Sequence, residues 1–223
     1  MLLDLIKNRY SLRSFDTEKM PSFDDIRDIL EAGRLAPSFL NLQPWHFIVI
    51  KDEDTKTLLY NLSGGQAHVL DAPVIIACCA DLSVFGYEKY RAALENRPGM
   101  NQENLQYFLN SKALNPALLS QEAVKQRGLE ELTYAIAYMT LAANEKGLET
   151  CIVGGIGNEY TQTEQDIYAV TKMELDLPKE VSLCSLLLVG YPKENTTIPA
   201  KERKTFEEVI SFEKYSVPEK TEE

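Results

Sequence analysis

Histidine is almost missing from this chain of 223 residues, which carries only His46 and His68. That scarcity argues against a zinc site built on histidines. Cysteine is equally sparse: Cys78, Cys79, Cys151 and Cys184 form no CxxC, and three of them sit in strongly apolar, strand-like runs. They read as small core residues in a reducing cytoplasm, with no disulfide framework and no metal site. Positive charge is in deficit, 23 Lys+Arg against 34 Asp+Glu for a net charge of -11, which argues against nonspecific nucleic-acid binding. No apolar run approaches a membrane span, and the opening Met-Leu-Leu-Asp-Leu-Ile-Lys-Asn-Arg, broken by Asp4, does not read as a signal peptide. A GxGxxG fingerprint, an internal repeat and an interdomain linker are all lacking. With 44% apolar and 26% charged residues the composition is that of an ordinary globular protein. The expected organisation is one domain over residues 1–215, followed by a frayed tail at 216–223.

The chain is organised around Ala36-Pro-Ser-Phe-Leu-Asn-Leu-Gln-Pro-Trp-His-Phe47. Apolar Ile26, Ile29, Leu30, Ala32 and Leu35 mark a helix that proline stops near Ala36. Trp45 to Ile50 then reads as a buried strand, with His46 structural within it. Between them Ser38, Asn41 and Gln43 offer neutral donors and acceptors. Such a loop suits a flat, uncharged, heteroatom-rich ring, or is simply a polar connection.

A short helix at 2–8 leads into Arg9-Tyr-Ser-Leu-Arg13-Ser-Phe15. Arginines spaced one helical turn apart around Ser11 suit a phosphate, or form a solvated helix end. Helix is expected over 55–71, interrupted at Gly64-Gly65, and an apolar strand over 72–80. Residues 83–125, rich in Phe and Tyr and broken at Arg97-Pro-Gly-Met100, read as one or two helices, either a lid or a plain insertion. From Leu129 to Lys146 a helix apolar nearly all round implies burial at a domain centre or subunit interface. A strand over 149–156 ends in Gly154-Gly155, whose backbone a ligand can approach closely. Helix at 161–173, a strand at 181–192 and the cations Lys201 and Arg203 complete the chain.

In this order the pieces resemble the nitroreductase family of FMN-dependent oxidoreductases over roughly residues 4–210. Arg9-Tyr-Ser-Leu-Arg-Ser-Phe looks like the family's Arg-Arg-Ser-x-Arg-x-Phe, with Tyr10 in place of the second arginine. Ala36-Pro-Ser-Phe-Leu-Asn-Leu-Gln-Pro-Trp is similar to its Ala-Pro-Ser-x-x-Asn-x-Gln-Pro-Trp loop, the most specific of the motifs. Gly147-Leu-Glu-Thr-Cys-Ile-Val-Gly-Gly looks like Gly-Leu-Gly-x-x-x-x-Gly-Gly, and Leu-Val-Gly-Tyr-Pro followed by Lys201-x-Arg203 also matches.

The resemblance implies an α+β three-layer fold, a central mixed, mostly antiparallel sheet flanked by helices, in an intertwined homodimer. It implies FMN at the dimer interface, with Arg9, Ser11, Arg13, Lys201 and Arg203 holding the phosphate and Tyr10 contributing its main chain. Pro37, Ser38, Phe39 and Asn41 would meet the isoalloxazine ring of the FMN held mainly by the partner subunit. Val153, Gly154 and Gly155 would face the ring near N5, and Gln66 the ribityl or ring polar atoms. NADH or NADPH would supply hydride and a small-molecule acceptor would remove it. The cofactor carries that chemistry, so no catalytic acid or base is named. Alternatives are a dehalogenase-like or flavin-cleaving branch of the same fold and a noncatalytic flavin-storage protein.

Overall fold

The computed structural model describes residues 1–198 and 200–216, so the tail expected at 216–223 lies, beyond Ser216, outside the described residues. Four strands form one sheet in the order β1-β2-β4-β3: β1 Trp45–Ile50, β2 Val74–Asp81, β3 Glu149–Val153 and β4 Val181–Gly190. Every pairing between them is antiparallel. The parallel element of the expected mixed sheet is confined to an isolated bridge, Ser11 beside Thr150.

β2 and β4 are apolar on both faces because both are covered. Ile75, Ala77, Cys79 and Leu188 face one cluster, which α3 (Glu53–Leu62) and α8 (Gln165–Glu174) close with Leu59, Leu62 and Tyr168. Val74, Ile76, Cys78 and Val189 face the other, closed by Ile26 and Ile29 of α2 (Phe23–Arg34) and by Leu132, Ile136 and Met139 of α7 (Gln121–Glu145). A bulge where Cys78 pairs Ser185 and Cys79 pairs Leu183 skips Cys184. The extra residue reverses the alternation of β4, so Leu183 and Leu186 point into the same layer. All four cysteines are free and buried. Burial pushes the Cys184 thiol up to about 11.

Several sequence expectations are corrected. β1 is an edge strand whose His46 and Val49 are exposed, although Ile48 and Ile50 on one face and Trp45 and Phe47 on the other pack on the two core clusters. No strand pairs its free edge among the described residues, which is why it is not buried. α2, by contrast, ends at Arg34 with Leu35 as its cap, near Ala36 as expected. α7 begins at Gln121, where Ser120 caps it by accepting the Ala123 N–H at 3.0 Å. It therefore takes over the end of the 83–125 region, leaving α5 (Tyr87–Glu95) and α6 (Gln102–Asn110) as the helices expected there. β3 stops at Val153, and residues 161–164 are turns with left-handed Gln162 and Glu164, so α8 starts only at Gln165. α7 is not enclosed all round. Tyr134 and Tyr138, one turn apart, are exposed on one side of it and Leu129 on another.

Gly190 closes the end of β4. A β-carbon there would lie 2.7 Å from Pro73 and 2.9 Å from the Phe15 ring, two rigid neighbours. Gly190→Ala is expected to destabilise the fold by about 1–3 kcal/mol, the usual cost of overpacking. A urea midpoint equal to that of the natural chain would contradict this packing.

Candidate functional site

α1 (Leu2–Asn8) ends at Arg9, whose backbone is already extended (φ -53°, ψ 134°). The next residues run beside β3: Leu12 N–H donates to the Thr150 carbonyl at 2.9 Å, and Phe15 bridges Pro192. Extended backbone alternates its side chains. Tyr10 and Leu12 are buried, while Arg9 and Ser11 are half-buried and Arg13 is exposed. The helical-turn spacing anticipated for Arg9 and Arg13 is thus wrong, since tertiary pairing with β3 holds this segment extended. They share a face all the same, with about 13 Å of backbone between them.

Lys201 joins the Arg9 end. Its Nζ donates to the carbonyls of Lys7 and Asn8 at 2.7 Å each, the natural place for a cation at the end of a helix. Glu149 lies under this group. Burial pushes its carboxyl above the ordinary range, whereas the Asn144 amide at 3.0 Å, Lys201 and Arg9 pull the other way. Arg13 lies at the far end, where its charge acts on Cys151 and His68. Among the described residues no carboxylate pairs with Arg9, Arg13, Lys201 or Arg203, although the chain is strongly acidic. Arg203 stays apart, donating to the Glu202 carbonyl at 2.7 Å.

Beyond β3, Gln66 Nε2 donates to the Ser63 carbonyl at 3.0 Å and reaches the Gly155 carbonyl at 3.5 Å. A β-carbon on Gly154 would meet nothing within 4 Å, so that backbone is open to a ligand. His68, the first residue of α4 (His68–Asp71), adds a group that no sequence pattern singled out. Its Nε2 is buried without a hydrogen-bond partner, and burial together with Arg13 lowers its pKa. These residues fit an elongated ligand with an anionic end at Arg9 and Lys201. An uncharged, hydrogen-bonding end would lie at Gln66, His68 and the glycines.

The 37–43 loop is built differently. Leu40, Asn41 and Gln43 all take left-handed backbone (φ 54°, 57° and 49°), a concentration of strain the surroundings must hold in place. Phe39 N–H donates to Glu131 Oε2 at 2.8 Å, and Gln43 N–H donates to Ser38 Oγ at 3.0 Å. Phe39, Leu40 and Leu42 pack on Tyr90, Leu94 and Leu105 of α5 and α6. Arg127 lies over the Phe39 ring at 5.2 Å. Pro37 and Asn41 are left exposed and Ser38 half-buried. The sheet order puts this loop at the β1 edge and the cationic row outside β3, about 19 Å away across four strand spacings. One chain does not bring the two groups together.

The profile of the nitroreductase family matches residues 6–191. The chain belongs to the nitroreductase family. It is accordingly an oxidoreductase. A relative named NADH dehydrogenase from Thermus thermophilus is 31% identical over 188 residues, covering 83% of this chain and 84% of that protein. One named iodotyrosine deiodinase from Thermotoga neapolitana is 29% identical over 194 residues, 87% and 90% of the two chains. The solved nitroreductase family protein of Streptococcus pneumoniae superimposes with a TM-score of 0.72 over 95% of this chain and 99% of that one at 23% identity. That likeness bears out the α+β nitroreductase fold.

Glu131 is 2% exposed, and burial raises its pKa from 4.5 while the Phe39 N–H and Arg127 oppose the shift. A carboxyl raised on folding binds protons more tightly in the folded chain, so its contribution to stability is complete below about pH 4.5. It declines as pH rises through the folded value. Glu131→Gln, which keeps an acceptor for Phe39, is expected to flatten that decline in urea midpoints measured from pH 4.5 to 8. Parallel profiles for the two proteins would contradict the burial.

Proposed function

We propose that this protein is an FMN-dependent NAD(P)H oxidoreductase acting by a ping-pong cycle. Bound FMN would supply the hydride chemistry between NADH or NADPH and an electron-poor acceptor such as a nitroaromatic, a quinone or an activated alkene. The observation that carries this reading is the row Arg9, Ser11, Arg13 displayed on one face beside β3, with Lys201 fixed at its head.

Arg9, Lys201 and the Ser11 hydroxyl hold the phosphate, and Arg203 comes to it from its exposed loop. Arg13, about 13 Å along the segment, reaches toward the ring end with Gln66. His68 Nε2 supplies a polar contact that protein atoms leave unused. Gly154, with Val153 and Gly155 beside it, admits the ring edge because no side chain stands against Gly154, while Gln66 borders Gly155. Tyr10 serves through its main chain, since its ring is buried.

A second copy of the chain completes the site. The exposed pair Tyr134 and Tyr138 of α7, with exposed Leu2, Leu3 and Ile6 of α1, supports a homodimer in which Pro37, Ser38, Phe39 and Asn41 meet the ring held by the partner. Residues 1–215 then act as one domain. Buried free cysteines accord with a cytoplasmic setting. Among the described residues no helix is long and apolar enough to cross a membrane. The deiodinase relative keeps a dehalogenating branch as a second reading of the same site.

The purified protein is expected to show flavin absorbance bands that bleach when NADH or NADPH is added without oxygen. Lys201→Ala and Arg13→Ala are each expected to weaken FMN retention about tenfold, the scale of a hydrogen bond to a charged group. A yellow protein that does not bleach would favour storage. A colourless protein that takes up no FMN would overturn the proposal.

A further inference from the structure

A cleft of about 550 Å³ lies between the 38–41 loop and the end of α5, lined by Ser38, Asn41, Asn96 and Arg97 with Leu40 and Pro98 as apolar walls. Its polar character is one-sided. Arg97 is the charged residue of that lining, and among the described residues no carboxylate pairs with it. The neighbouring candidates are taken: Glu95 accepts from Arg91 at 2.9 Å. Arg127, over Phe39 in the same loop, is already paired with Glu130 at 2.8 Å. The Phe108 ring lies 5.8 Å from the Arg97 guanidinium, supporting its plane without using its donors.

The neutral groups around Arg97 point the same way. Ser38 Oγ accepts the Gln43 N–H, which leaves its own proton to donate outward. The Asn41 and Asn96 amides make no side-chain hydrogen bond among the described residues, and Asn41 is held in left-handed backbone at the rim. A cationic fork flanked by neutral donors with no acceptor charge is complementary to a carboxylate or a similar oxyanion. In a chain of net charge -11, an unpaired arginine at such a place is a local reversal of sign.

We infer that this cleft binds the anionic group of the electron acceptor, so that the acceptor is an electron-poor ring carrying a carboxylate or comparable oxyanion. The inference rests on the flavin reading in one respect: Ser38 and Asn41 are the residues assigned to the ring, which puts the cleft beside the point of electron transfer. The lining itself comes from one chain and needs no cofactor atom.

The test is equilibrium dialysis of benzoate and of its neutral isostere benzamide against the FMN-loaded protein and its Arg97→Ala and Arg97→Lys variants. Benzoate is expected to bind about tenfold tighter than benzamide to the natural chain, a preference lost in Arg97→Ala and partly kept in Arg97→Lys. Reduction of 4-nitrobenzoate is expected to outpace that of nitrobenzene and to lose that advantage in Arg97→Ala. Equal binding of the two probes by the natural chain, or an unchanged preference in Arg97→Ala, overturns the inference. So does an effect of the variant confined to reduction by NADPH, since the cation would then serve the phosphates of the donor. If the chain takes up no FMN, the flavin reading fails by itself, and dialysis of benzoate against the cofactor-free chain still decides the cleft.

Discussion

Both faces of β2 and β4 are shut away from water, and the placement of every ligand-binding group follows from that constraint. α2 and α7 cover one face, α3 and α8 the other. Backbone polar groups in the sheet centre are consumed by the ladder, so a cofactor finds free donors only at the sheet edges and in the connections. The 9–15 segment lies along the β3 edge, and the 37–43 loop runs into the β1 edge. Covering the sheet on both sides thus leaves the periphery for the flavin and the second chain proposed above.

That geometry explains an otherwise odd distribution of charge. Acidic residues dominate the chain, yet Arg9, Arg13 and Lys201 lie on one side without a carboxylate partner among the described residues. An unpaired group of cations raises the free energy of the isolated chain through mutual repulsion, and a bound dianion offsets it. The loop at the other edge is neutral and strained instead. Its shape is held by the buried Glu131 carboxylate and by packing on α5 and α6. In the proposed flavin site the cationic group and the neutral loop would take the two ends of one ligand.

Much of this was legible in the sequence for physical reasons. Continuous apolar runs such as 74–81 and 181–190 have no other use than strands covered on both faces, and the structure places β2 and β4 there. The motif carrying Pro37 to Trp45 pointed to the family correctly. What the sequence hid depends on contacts made far along the chain. Arg9 to Phe15 looks helical by spacing, but pairing with Thr150 and Pro192 holds it extended. His46 looked buried because its strand is apolar, but no neighbour covers the β1 edge. Glu131 binds a loop 92 residues away, and His68 stands out only because folding buries its Nε2 without a partner and brings Arg13 near. No local pattern announces either residue. Arg97 was visible only as a turn, since its role depends on a cleft shared with residues 38–41.

The central claim is that one chain supplies the cationic half of the flavin site and a second chain the neutral loop. Native mass spectrometry of the freshly purified protein tests it most directly, because chain number and bound FMN are read from the same ion. The account predicts a species of two chains carrying two FMN, with the flavin lost whenever the chains separate. A single chain of 25.2 kDa that keeps its own FMN would contradict it.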